Sequence, residues 1–296
     1  MQKSAAQPPT IPCSLLPETK ERIERFADEL RLAAPKIGSH GLEEDAFWAS
    51  GLFKSAIERL RGRQAATTNF KRAFLDEVLT HLKDTGKIKG FAFTGAGDRH
   101  DYQVRLAGDR LAVFEAKGCL DGNNTTIFQR PPNADEFFIW SLCQNAGADP
   151  RKNVWSGIHT RLGAAIVAER RRVDALIVWD MLCGTAARPC PKIADGGCST
   201  LLHGGRSVPP PCIYLFPRTV PDPRNNPAPP VWKLHELPFV HALAQSFGCP
   251  AEQVVEVHIH TRMKGNSVQR QTSLFEAGRC LHESRWTNLK RGLAQA

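Results

Sequence analysis

The 296-residue chain has no C-x-x-C pair, no G-x-S-x-G, no Walker loop and no apolar run approaching membrane-spanning length. The last absence excludes an apolar spanning helix. The missing G-x-S-x-G and Walker loop disfavour a serine hydrolase and an ATP-driven enzyme, so no nucleotide cofactor is expected. Nine cysteines are scattered along a chain too long to need stapling, and reduced thiols are the expectation. The first ten residues lack the apolar core of a signal peptide, which makes a cytoplasmic protein the expectation. Neither an internal repeat nor a long low-complexity tract is present.

What remains is a soluble, folded composition with a basic excess. Hydrophobic residues make up 42% and charged residues 23%. The net charge of +9 favours a polyanionic partner, with nucleic acid the leading candidate. Residues 181–296 hold 13 Lys and Arg against 7 Asp and Glu, so the excess is concentrated in that part of the chain.

Helical spacing predicts one helix over Glu18–Ala33 and a second over Glu43–Arg61, the latter with Phe47, Trp48, Phe53, Ile57 and Leu60 as its buried stripe. A third runs from Thr67 or Thr68 to Lys83 on Phe70, Phe74, Val78 and Leu82, with Glu77 on the shoulder of that stripe and Asp76 turned to water. Three β-type runs follow, Ile88–Thr94, Tyr102–Leu106 and Leu111–Lys117, separated by turn residues that suit an antiparallel meander. Glu136–Gln144 reads equally as helix or strand. Asn153–Arg172 reads as a helix and Asp174–Met181 as a buried strand. Between 189 and 238 lie 12 of the 21 prolines, which excludes a long regular element there apart from a short strand at Cys212–Phe216. Val255 to Phe275 then reads as a hairpin with basic residues near its tip. The expected division is an N-terminal helical segment (1–66), a core (67–182), and a Pro- and Cys-rich insertion with a basic C-terminal segment (183–296), all of which also fits a single domain.

The stretch that carries chemistry is Arg110–Gly118. The apolar run Leu111–Phe114 leads directly into Glu115 and Lys117, which share one strand face because side chains alternate. Asp101 heads the preceding strand. Two carboxylates and an amine gathered at strand ends suit metal-dependent phosphodiester cleavage, which needs a hydroxide nucleophile and neutralisation of charge on phosphate oxygens. Glu-x-Lys occurs again at Glu18–Lys20 in a polar helix, so the tripeptide carries weight only in its context.

Asp101, Glu115-Ala116-Lys117 and the order of elements over residues 67–182 resemble the PD-(D/E)XK nuclease superfamily. The resemblance implies a restriction-endonuclease-like α/β fold: a central mixed sheet flanked by helices, in the order helix, three-strand meander, helix, strand. It implies Mg²⁺, with Mn²⁺ as a substitute, at Asp101, Glu115 and Ala116, and Lys117 orienting or activating the attacking water. Glu77 is the matching acid on the preceding helix. The position before Asp101 is His100 where the family has Pro, and no Gln-x-x-x-Tyr follows the motif, which argues against an exonuclease-type branch. The expected activity is a sequence-specific, type II restriction endonuclease acting in host defence on double-stranded DNA as a homodimer. A structure-selective repair nuclease, an RNA nuclease and a catalytically silent DNA-binding module are the alternatives. Specificity is expected from Asn123, Asn124, Gln129 and Arg130 in the loop after the motif, and from Arg262, Lys264 and Arg270 in the basic C-terminal segment.

Two further groupings are weighed. Cys183, Cys190, Cys198, His203 and Cys212 match no standard zinc spacing, so buried or free thiols are favoured over structural zinc. Glu256, His258 and His260 share a strand face, where solvation is favoured over metal binding.

Overall fold

The computed structural model of the chain describes residues 15–64, 68–94, 101–118, 130–143, 149–186, 188–190 and 201–289. The N-terminal part forms α1 (Pro17–Ala33), α2 (Glu44–Ser50) and α3 (Leu52–Gln64). The single helix expected over Glu43–Arg61 is broken at Gly51, whose left-handed φ of 72° ends α2 with its N–H on the Trp48 carbonyl. The expected buried stripe is also corrected. Of its members only Phe47 is buried, and Leu60 is 53% exposed; Phe26 of α1 is 60% exposed.

From α4 (Thr68–Asp84) onward the chain builds one mixed sheet. β1 (Gly90–Phe93), β2 (Tyr102–Arg105) and β3 (Leu111–Lys117) form the expected antiparallel meander. The ambiguous stretch is strand β4 (Glu136–Cys143), parallel to β3. It is buried on both faces, which explains why its apolar run carries no period-2 signal. A helical connection leads to β5 (Ala175–Asp180), parallel to β4. The Pro-rich stretch contributes a small hairpin, β6 (Leu202–His203) with β7 (Arg206–Ser207), and then β8 (Cys212–Leu215), antiparallel to β5. After α7 (Pro238–Ser246), β9 (Val255–Lys264) pairs parallel to β8. β10 (Ser267–Glu276), β11 (Arg279–Glu283) and β12 (Thr287–Asn288) complete the sheet, so hydrogen-bonded pairing runs without interruption from the 67–182 region into the C-terminal segment. Among the described residues this mixed α/β sheet has ten strands.

Strand alternation sorts the core onto two faces. Tyr102, Phe114, Trp140 and Trp179 pack with Phe74 and Val78 of α4 and with Phe239 and Leu243 of α7. Val113, Ile139, Leu176 and Val257 face Ile158, Leu162 and Ile166 on the other side. These last residues belong to the helix expected over Asn153–Arg172. It runs instead as α5 (Pro150–Ser156), a π-helical segment (Gly157–Leu162) and α6 (Gly163–Ala168). Arg270 of β10 is buried against it, donating to the His159 carbonyl and, at 2.8 Å, to Thr272 Oγ1. A Cβ on Gly163 would lie 2.9 Å from the Arg270 guanidinium and 3.0 Å from the Ile158 carbonyl, so any larger residue there would have to displace the guanidinium. Burial without a nearby carboxylate pulls the Arg270 pKa down to about 10.

Two buried acids tie the layers together. Asp174, fully buried, accepts from Phe137 N–H (2.9 Å), Trp232 Nε1 (3.0 Å), Arg172 Nε (3.0 Å) and the Arg130 guanidinium. Glu136 accepts from the Phe239 N–H at 2.9 Å and so caps α7 across the core. Desolvation pushes its pKa up from 4.5 to about 7, against the opposing pull of the Phe239 and Val240 amides. No helix is long and apolar enough to cross a membrane among the described residues. Cys143 is disulfide-bonded, which corrects the expectation of reduced thiols at that position.

Two outcomes are expected from these acids. Asp174→Ala strands buried guanidinium charge and should cost about 3–5 kcal/mol in denaturant unfolding. For Glu136, the folded state holds its proton more tightly than the unfolded state, so this contribution is complete below about pH 4.5 and is lost as pH rises to about 7. Glu136→Gln should therefore flatten the stability profile over that window and exceed wild type above it by about 3 kcal/mol. A wild-type profile already flat there would contradict the assignment.

Candidate active site

β3 and β4 are parallel, and their C-terminal ends lie at the same rim of the sheet as the start of β2. The register Tyr102↔Phe114, continued by one residue, sets Asp101 opposite Glu115 on the same face. Asp101 Oδ2 accepts the Ala116 N–H at 2.6 Å, so this carboxylate reaches across to the main chain between Glu115 and Lys117. Glu115 is 1% exposed and forms an ion pair with Lys117, whose side chain is 20% exposed. On the neighbouring strand Ile139 stands beside Glu115 and Ser141 beside Lys117, with Ser141 Oγ donating to the Gly118 carbonyl at 2.8 Å. Asp101, Glu115, Ala116 and Lys117 are thus brought together.

Glu77 is not brought to them. Its helix covers the opposite sheet face, and Glu77 Oε2 is 2.7 Å from His203 Nδ1 on the β6–β7 hairpin. Asp76, expected to face water, instead accepts from the Tyr102 hydroxyl at 2.9 Å. Burial and the Asp76 carboxylate together raise the Tyr102 pKa. A helical wheel ranks residues against a stripe and does not show which acid of α4 meets a side chain of β2.

The expected DNA contacts separate. Asn123, Asn124 and Gln129 lie outside the described residues. Arg130 turns inward, with donors on Asp174 and on the Ala134 and Asp135 carbonyls. Arg270 is buried on the π-helical segment. Arg262 and Lys264 are exposed at the β9–β10 turn, Arg262 lying over the Trp286 ring at 4.0 Å. β9 runs antiparallel to β5, so its strand direction carries that turn away from the rim holding Lys117.

Of the candidate zinc ligands, Cys198 lies outside the described residues, Cys183 and Cys190 are buried beside each other, and His203 pairs with Glu77. Glu256 pairs with Lys233 and His258. Among the described residues no group of three or more His, Cys, Asp or Glu side chains is placed to hold a metal ion. Compared with family models, curated proteins and solved structures, the chain matches none.

Tyr102 faces away from Asp101, so Tyr102→Phe should lower stability by about 1 kcal/mol through loss of the Asp76 bond. A denaturation midpoint equal to wild type would show that this bond contributes nothing.

Proposed function

We propose that the chain is a Mg²⁺-dependent DNA endonuclease of the PD-(D/E)XK type, cutting duplex DNA at specific sequences as a restriction enzyme. The observation that carries the reading is the Asp101 carboxylate bonded to the Ala116 N–H between Glu115 and Lys117. Burying Glu115 at a strand end is costly unless it is paired, and here the pairing amine comes from Lys117, the last residue of the same strand.

The donor set fits a hard cation. Asp101 and Glu115 offer carboxylate oxygens from neighbouring strands on one face, with the Ala116 main chain beside them, and Mg²⁺ is bound by one or two such carboxylates plus waters. Bound there, it would polarise the phosphodiester and lower the pKa of a water. The rest falls to the chain. The Ala116 N–H fixes the Asp101 side chain in place, so little reorganisation accompanies substrate binding. Ile139 walls Glu115 from solvent. Lys117 presents N–H donors that would stabilise negative charge on a phosphate oxygen or orient the attacking water. With one such site per chain, cutting both strands calls for a two-fold dimer.

The test is incubation of the purified protein with long, diverse DNA and Mg²⁺. Fragment ends should map to one short sequence, and Asp101→Ala, Glu115→Ala or Lys117→Ala should each reduce cleavage by at least about 100-fold in a folded protein. Cleavage that persists in Glu115→Ala would sink the site, and ends clustered at nicks or junctions would sink the restriction reading.

A further inference from the structure

A pocket of about 440 Å³ opens between α4, the end of β5 and the β6–β7 hairpin, within the size range of small-molecule sites. Its floor and wall are aromatic, from Phe70, Phe74 and Trp179. His203 meets both Phe70 and Phe74 edge-on, with centroids 5.5 and 5.2 Å away. Because a carboxylate only accepts, the contact with Glu77 Oε2 assigns the ring proton to Nδ1 and leaves Nε2 as the hydrogen-bonding edge for an occupant. Arg206 stands exposed at the mouth. An aromatic cavity with one polar edge and a guanidinium at its entrance matches a flat heterocycle carrying an anionic group.

Its position narrows the occupant. The register places Lys117, Ser141 and Val178 in one row across β3, β4 and β5, and Trp179 is the next residue along β5. Two strand spacings separate β3 from β5, roughly 10 Å. The pocket therefore opens at the rim that carries the candidate active site, on the other sheet face.

We propose that this pocket holds an unpaired base of the substrate strand, packed on Phe70 above the buried edges of Phe74 and Trp179 and read by His203, with Arg206 on the adjoining phosphate. The assignment rests on the nuclease reading. It gives Glu77 a role as a positioning residue that orients His203, and it makes a locally opened strand the bound form of the DNA.

The experiment measures binding of a short labelled single strand, with bases or with abasic residues throughout, to the full chain in EDTA so that no cleavage occurs. The base-bearing strand should bind about tenfold tighter. His203→Ala should remove that preference, whereas Arg206→Ala should weaken both strands alike. Phe70→Ala, which removes a wall and spares the Glu77 bond, is the second variant and should also lose the preference. Equal binding of the two strands to wild type, or a preference that survives both His203→Ala and Phe70→Ala, overturns the proposal. A base preference without cleavage under any metal would sink the nuclease reading and leave the pocket standing; cleavage without base preference would do the reverse.

Discussion

Asp174 is a fully buried charge, and the geometry of the sheet depends on how completely it is satisfied. A bare carboxylate in that position would be prohibitively costly. Its oxygens take an amide of β4, the Trp232 indole and two guanidinium groups, while its own main chain bonds Phe137 and Phe216. These bonds join the start of β4, the start of β5 and the end of β8 at one point. Slipping β4 against β5 by one residue would break them and turn every side chain of β4 to the other face.

That anchoring acts at a distance on the candidate active site. With β4 fixed by Asp174 at its start, pairing with β3 aligns Glu115 with Ile139 and Lys117 with Ser141 at the opposite end. A buried carboxylate and its amine are therefore held at a rim by a sheet whose register is set elsewhere. Glu136 acts similarly on the second face, spanning the core to cap α7.

The elements with local signals were legible in the sequence. Alternation marked β2, a continuous apolar run marked β3, turn residues marked the meander, and the charges that end that run marked Glu115 and Lys117. Features that depend on distant partners were not. Glu136 opens an apolar run with nothing nearby to show that Phe239, 103 residues away, supplies its amide. Arg270 reads as one more basic residue near a turn until Gly163 and the π-helical segment show where it is buried. Glu77 and Asp76 depart from their expected surroundings because their partners, His203 and Tyr102, lie 126 and 26 residues away in the chain. Gly51 is a local signal of a different kind, because a glycine inside a helical pattern can also be a left-handed cap, and here it ends α2.

The distribution of charge gains meaning once strand directions are known. The excess of Lys and Arg lies in the C-terminal part, but that part is not one surface. Arg188 pairs with Asp180 in the interior, Arg270 is buried, and Arg262 and Lys264 sit at a turn directed away from Lys117. Arg206 differs, because the β6–β7 hairpin follows β5 and precedes β8 at the rim where β3 ends. A surface charge acts on a phosphate over roughly a Debye length, about 8 Å at physiological salt. Placement near the rim therefore matters more than the total of +9, and of these residues Arg206 is exposed on the hairpin at that rim.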